Sequence, residues 1–124
     1  MYLTLLDLDA TAIPDIWILA APLAWSDPVR GSIIVPAGFK TDLASIPRAL
    51  RNLPMLDPDG VSRRPAVTHD WLYGGDRSRG KDFADDFLYD ALLAEGAGRA
   101  TAWAIWAGVH YFGQIPWDND GKAL

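Results

Sequence analysis

The sequence contains no cysteine among its 124 residues. This absence excludes disulfide bonds, thiolate metal sites and a cysteine nucleophile. Histidine is scarce as well, with two residues in the chain, so any histidine chemistry depends on one of two positions. Half of the residues are hydrophobic, which is enough for a core, and the length suits one compact domain. We therefore expect residues 1–124 to form a single domain.

Long hydrophobic runs and an excess of basic residues are also missing. The most hydrophobic stretch, "IWILAAPLAW" (16–25), is interrupted by Pro22 and is too short to span a bilayer. The first residues, "MYLTLLDLDATAIPD" (1–15), carry acids where a signal peptide carries basic residues. The net charge of −5 argues against nonspecific binding to nucleic acid. We expect no transmembrane segment, no secretion by a signal peptide and no nucleic-acid partner.

Residues 1–50 are predicted to be the β-rich part of the domain. The apolar stretch 16–25 and the β-branched "SIIVP" (32–36) flank a turn cluster, "SDPVRG", and together predict a hairpin or two strands of a small antiparallel sheet. Pro22 places the first strand at an edge or a bulge. The "TDLASIP" block (41–47) is predicted to be a loop.

Residues 61–113 are predicted to be helical, and 114–124 a flexible tail that becomes ordered only against a partner. Pro65 suits the first position of a helix, Ser78 an N-cap and Gly96 a C-terminal stop. The predicted helices span about 65–73, 79–95 and 98–112. The last helix is apolar on nearly every side, which is typical of a buried helix. Strands followed by helices indicate an α+β fold, with a small N-terminal antiparallel hairpin or sheet and a bundle of about three helices.

The stretch "RRPAVTHDWLYGG" (63–75) carries the residues best suited to chemistry. His69 and Tyr73 are four residues apart and share one face of the predicted helix, whereas Asp70 points about 100° away. An imidazole can act as a general base near neutral pH. The adjacent carboxylate can hold a hard cation. A structural or capping role for the same residues is the alternative.

A histidine base needs an acid to orient it, and the predicted helix 79–95 offers four candidates. On a helical wheel, Asp82 and Asp86 point away from the apolar arc and are expected to be solvated. Asp85 and Asp90 lie at the two edges of that arc. The wheel leaves the choice between these two open.

Four blocks of the sequence carry a family resemblance: "VPAGFKTDLASIPR" (35–48), "AVTHDWLY" (66–73), "ADDFLYDAL" (84–92) and "GVHYFG" (108–113). They resemble domain-of-unknown-function family 1353, small proteins encoded by tailed bacteriophages and prophages. The resemblance implies a phage or prophage origin and a location in the virion or the host cytoplasm. It implies no reaction.

The His-Asp-x-x-Tyr pattern followed by an aspartate on a later helix is also similar to phospholipases A2. That resemblance implies that His69 is the base for an attacking water, Asp70 a calcium ligand, and Asp85 the acid that orients the histidine. Tyr73 would hydrogen-bond to that acid. Unlike those usually disulfide-rich, secreted enzymes, this chain has no cysteine and is expected to carry no signal peptide. In place of their glycine-rich calcium loop it offers "PAGFKTDLAS" (36–45), with one glycine, where Asp42 would replace a missing carbonyl ligand.

Two functions are therefore expected. The first is a calcium-dependent hydrolase of esters or phospholipids. The second is a non-enzymatic virion or assembly component (tail, connector or capsid-associated), in which the same residues form a structural hydrogen-bond network. Its partners would be other virion proteins or a second copy of the chain, with Trp17, Trp25 and Trp117 as interface anchors. The other histidine, His110, is expected to be a satisfied core residue.

Overall fold

A computed structural model describes residues 1–14, 16–41 and 62–123. The described strands form two small antiparallel sheets. One sheet has the order β1–β2–β5 and the other pairs β3 with β4. The strands are β1 Leu8–Ala10, β2 Trp17–Leu19, β3 Leu23–Asp27, β4 Gly31–Val35 and β5 Lys40–Thr41.

The β3–β4 pair confirms the predicted hairpin. Leu23 lies opposite Val35 and Trp25 opposite Ile33, and all four side chains are buried. The intervening residues face outward, as the two-residue period of a strand requires. The turn is held by the Asp27 carboxylate, which accepts the backbone N–H groups of the two residues before Gly31. A carboxylate that bonds backbone a few residues ahead is a common turn device.

The apolar stretch 16–25 is two strands rather than one. Its first half forms β2, in the middle of the three-stranded sheet, and its second half begins β3 of the hairpin. Pro22 lies directly between them. Because proline has no N–H to donate to a strand ladder, the chain changes sheets at this point.

The described helices follow the strands, which confirms the α+β class. They are α1 Arg63–Asp70, which continues as a π-helical turn over Trp71–Gly75, α2 Lys81–Ala94, α3 Arg99–Phe112 and α4 Gln114–Ala123. The first three correspond to the predicted helices. The tail expected to be flexible is α4, and its start packs against the π-helical turn and α3. Among the described residues, no helix is long and apolar enough to cross a membrane.

The helix boundaries correct two of the predicted signals. Pro65 is the third residue of α1 and still lies within its first turn. Backbone N–H groups in the first turn have no acceptor within the helix, so the proline costs no helical hydrogen bond there. Ser78 does not cap α2, because its hydroxyl donates to the Asp76 carboxylate and Gly80, with φ of 89°, precedes the helix. The stop at Gly96 is confirmed. Its φ is 103°, and the Gly96 and Ala97 N–H groups bond to Leu93 and Leu92 in a Schellman arrangement.

The core joins the hairpin to α1 and α2. Trp25 packs edge-to-face against Phe87 with 5.0 Å between ring centroids, and it is 3% exposed. The prediction that Trp25 anchors an interface is therefore wrong. The prediction that α3 is buried on all sides is also wrong, since Trp103 is 60% exposed. One stripe of α3 is buried, through Ala102, Ile105, Gly108 and Val109.

Candidate functional site

The last turn of α1 and the π-helical turn place His69 and Tyr73 in the interior. His69 is 1% exposed, and its ring centroid lies 4.2 Å from that of Tyr73. The four-residue spacing brings the two rings to the same face of the helix, as the sequence predicts. Both side chains reach the same residue of α2.

That residue is Asp85, which is fully buried. Its Oδ1 accepts hydrogen bonds from His69 Nε2 at 2.9 Å and from the Tyr73 hydroxyl at 2.6 Å. Asp90, the other candidate acid, is half-exposed and pairs with Arg30 at 2.7 Å. The structure thus brings together three of the predicted site residues and places Asp90 elsewhere.

Lys81 is a fourth member of this buried network that the sequence analysis did not identify. Its Nζ donates to Asp85 Oδ2 at 2.6 Å and to the backbone oxygens of Val109 and His110, both at 3.1 Å. Those carbonyls belong to the last turn of α3, where the helix dipole favours a cation. Lys81 and Asp85 are four residues apart, which places them on the same face of a helix, and this spacing is the sequence signal for their ion pair. We call His69, Tyr73, Lys81 and Asp85 the buried network.

Asp85 is held in its ionised form despite its location. Burial alone would raise the pKa of this carboxyl. The hydrogen bonds from His69, Lys81 and Tyr73 outweigh that effect and lower the pKa below its usual value. An ionised carboxylate accepts hydrogen bonds and donates none, so each of the three neighbours is the donor in its bond to Asp85.

Two glycines allow the rings around this network to pack closely. A Cβ atom on Gly75 would overlap the indole ring of Trp71. A Cβ atom on Gly113 would overlap the Val109 carbonyl oxygen and lie 2.8 Å from the Tyr73 hydroxyl.

Helix α4 covers the network from one side. Trp117 meets Tyr73 edge-to-face with 5.1 Å between ring centroids. The Arg77 guanidinium lies 3.7 Å from the Trp117 ring centroid and donates to the backbone oxygens of both Tyr73 and Trp117. Trp117 is thus a packing residue of the domain, and its indole fixes the position of Tyr73.

Of the predicted metal ligands, Asp70 is described and Asp42 lies outside the described residues. The Asp70 carboxylate accepts a hydrogen bond from the Thr41 hydroxyl at the end of β5. Within 1–14, 16–41 and 62–123, no three histidine or acidic side chains converge as a metal site would require. Asp70 therefore supplies one carboxylate, next to the end of β5.

His110 is not part of the buried network. Its ring stacks on Trp106 with 4.6 Å between centroids and an interplanar angle of 11°, and the residue is partly buried. The prediction that His110 is a satisfied core residue is therefore wrong, because its side chain is only partly buried. The backbone oxygen of His110 accepts a hydrogen bond from Lys81 of the network.

Comparisons with known proteins place the chain in a family. Neither the curated proteins nor the solved structures contain a match to the chain. A family model described as "Protein of unknown function (DUF1353)" matches residues 17–109, which is more than half of the chain. The matched range contains all four residues of the buried network. The chain therefore belongs to the DUF1353 family.

Proposed function

We propose that this protein is a hydrolase of esters, with phospholipids as the leading substrate class, in which His69 is the general base. The observation that carries the proposal is the 2.9 Å bond between His69 Nε2 and the buried Asp85 carboxylate. A histidine base is effective when a partner fixes both its tautomer and its direction. A tailed-phage or prophage origin belongs to the same proposal and rests on the sequence resemblance.

The bond to Asp85 selects one tautomer of His69. Because the ionised carboxylate can only accept, Nε2 carries a proton, and in the neutral imidazole Nδ1 keeps the basic lone pair. Tyr73 and Lys81 bond to the same carboxylate and hold it in place. Asp85, Tyr73 and Lys81 are therefore positioning residues, and His69 Nδ1 is the atom that accepts a proton.

The proposed reaction follows from that assignment. A water oxygen bonds to the ester carbonyl carbon while one water proton moves to His69 Nδ1. The carbonyl π electrons move to its oxygen, which becomes an oxyanion. When the oxyanion collapses, the bond between the carbonyl carbon and the leaving oxygen breaks, and the leaving oxygen takes the proton from His69. The products are a carboxylic acid and an alcohol.

Calcium is the proposed cofactor, and Asp70 is the ligand that the described residues offer. Calcium takes six to eight oxygen ligands, so one carboxylate does not make a site. The remaining ligands would have to include Asp42, which lies outside the described residues. The described residues alone do not fit the ion, and no step of the proposed reaction depends on it.

A second candidate function is a non-enzymatic virion or assembly component. The 1% exposure of His69 favours it, because a substrate can reach so buried a ring only if the structure moves. Tyr111, Phe112 and Ile115 are large apolar side chains exposed near the junction of α3 and α4. Exposed apolar groups close together are typical of surfaces that bind other proteins. In this case the buried network only stabilises the packing of α1 on α2.

The substitution His69→Gln separates the two functions. A glutamine amide nitrogen can replace Nε2 as a donor to Asp85 but supplies no base. The hydrolase predicts that hydrolysis of phosphatidylcholine vesicles and of a p-nitrophenyl ester falls by about 100-fold or more, with the fold retained. The matched control is His110→Gln, which removes the other histidine and leaves the rate unchanged. Two results together support the second function. The wild type shows no calcium-stimulated hydrolysis, and its exchange between monomer and oligomer depends on Phe112.

Asp70→Asn tests the calcium proposal separately. The variant keeps the hydrogen bond from Thr41 but removes the charge that attracts the ion. Calorimetric titration with calcium is expected to show binding in the high micromolar to millimolar range for the wild type and a loss of binding for the variant. Equal uptake by both proteins contradicts the assignment of Asp70.

A further inference from the structure

A cavity of about 490 Å³ lies between α2, α3 and the hairpin turn, outside the buried network. We infer that it binds a small organic cation, an alkylated ammonium group such as that of choline. We call it the aromatic pocket. The described residues that line it are Arg30, Asp86, Tyr89, Asp90, Trp103 and Trp106. None of them takes part in the proposed hydrolysis, so the inference does not rest on the proposed function.

Three of the lining residues are aromatic. Trp103 is the most exposed tryptophan of the described chain, although its helix has a buried stripe available for apolar side chains. Trp106 is held in position, because its Nε1 donates to Asp86 Oδ1 at 2.9 Å and its ring stacks on His110. With Tyr89, they give the cavity three aromatic lining side chains. The negative quadrupole of aromatic faces attracts cations, and quaternary ammonium groups are recognised in this way.

The charges of the aromatic pocket also favour a cation. Arg30 is compensated by Asp90, 2.7 Å away, and lies near Asp27. Asp86 accepts from the neutral indole of Trp106 and forms no ion pair with any described residue. One carboxylate charge beside the aromatic rings is thus left uncompensated. The net charge of −5 on the whole chain adds to the attraction for a cation.

The size of the cavity indicates how much of a ligand it can hold. About 490 Å³ lies within the range of small-molecule sites, and it exceeds the volume of a trimethylammonium group. The space left over suits the chain to which the ammonium group is attached. This chemistry occurs in free choline-like amines and in the headgroup of phosphatidylcholine.

Titration of the full chain with choline, followed by indole NMR shifts and tryptophan fluorescence, tests the inference. The matched ligand is 3,3-dimethyl-1-butanol, which has the shape of choline without its charge. Choline is expected to bind saturably, and the neutral isostere at least about 10-fold more weakly. Equal binding of both ligands, or no saturable choline signal at millimolar concentrations, overturns the inference.

Three variants locate the site. Trp103→Ala is expected to weaken choline binding by about 10- to 30-fold, and its exposed position leaves the fold intact. Asp86→Asn removes the charge while its amide oxygen still accepts from Trp106, and it should weaken binding by about 5-fold. Phe112→Ala, at an exposed aromatic residue that is not among the lining residues, is the control and should not change the affinity. Unchanged binding in Trp103→Ala overturns the assignment of the site.

Phosphatidylcholine vesicles distinguish the two sources of the cation. Sedimentation with these vesicles, competed by free choline, identifies the lipid headgroup as the ligand. Saturable choline binding without sedimentation identifies a free amine. Either result supports an ammonium site. Because the binding measurements require no catalysis, they are independent of whether His69→Gln changes a rate.

Discussion

Asp85 and Asp86 are adjacent in α2, but they lie in two different regions of the molecule. Asp85 is fully buried and accepts from His69, Tyr73 and Lys81. Asp86 is exposed and accepts from the neutral indole of Trp106. A buried carboxylate is stable only with hydrogen bonds and a compensating charge. An exposed one is solvated by water and can remain without a cation.

The two carboxylates have different roles: Asp85 is structural, and Asp86 is available for binding. The buried network stabilises the packing of α1 on α2, whatever chemistry His69 performs. The aromatic pocket keeps its carboxylate accessible, so its residues can be changed with little effect on folding. Substitutions in the first region should therefore change the free energy of unfolding, and those in the second should change ligand binding.

Asp85→Ala is expected to have the largest effect. It leaves Lys81 and His69 without their acceptor in the interior, and removal of one partner of a buried ion pair destabilises by about 3–5 kcal/mol. The control, Asp86→Ala, should change the free energy of unfolding by about 0.5 kcal/mol or less. Urea denaturation of both variants measures the difference. Equal losses of stability would show that the two regions do not differ as described.

Gly113→Ala is expected to be next in size. The new methyl group would overlap the Val109 carbonyl oxygen and press on the Tyr73 hydroxyl. Overpacking of this kind destabilises by about 1–3 kcal/mol. Gly74→Ala is the matched control, since nothing lies within 4 Å of its added Cβ. If thermal denaturation shows both variants at the wild-type midpoint, the close approach of Gly113 to Val109 and Tyr73 is not required.

Tyr73→Phe is expected to have a smaller effect. It removes one of the three side chains that donate to Asp85 but keeps the ring that packs on Trp117. Loss of a hydrogen bond to a charged group costs about 1.5–3 kcal/mol at most, and Lys81 and His69 still compensate Asp85, so we expect about 1 kcal/mol. The exposed Tyr111→Phe should be neutral. A larger loss for Tyr111→Phe in urea denaturation would contradict this ranking.

The smallest expected effect is on pH dependence. The pKa of Asp85 is lowered in the folded protein, so below the usual carboxyl pKa the unfolded chain binds more protons than the folded one. The stabilisation from ionised Asp85 is therefore complete above a pH of about 4 and is lost as the pH falls through its lowered pKa. The difference in unfolding free energy between the wild type and Asp85→Asn should shrink as the pH falls below about 4. A difference that grows on acidification below pH 4 contradicts the lowered pKa.

The local sequence determined much of this fold. Hydrophobic periodicity and the glycine at position 96 determined the helices α1 to α3 and the end of α2, because these depend on residues close along the chain. Alternation around the turn at 26–31 determined the hairpin. The four-residue spacing of His69 and Tyr73 put them on one face for the same reason.

Only the tertiary structure decided which acid meets His69. Asp85 and Asp90 both lie at the edges of the apolar arc of α2, and their burial depends on what packs against each edge. The packing of α1 buries Asp85, whereas the hairpin turn brings Arg30 to Asp90. The recruitment of Lys81 by the carbonyls of α3 depends on the same packing of distant segments. Local periodicity carries no information on such contacts, because they join residues that are far apart in the chain.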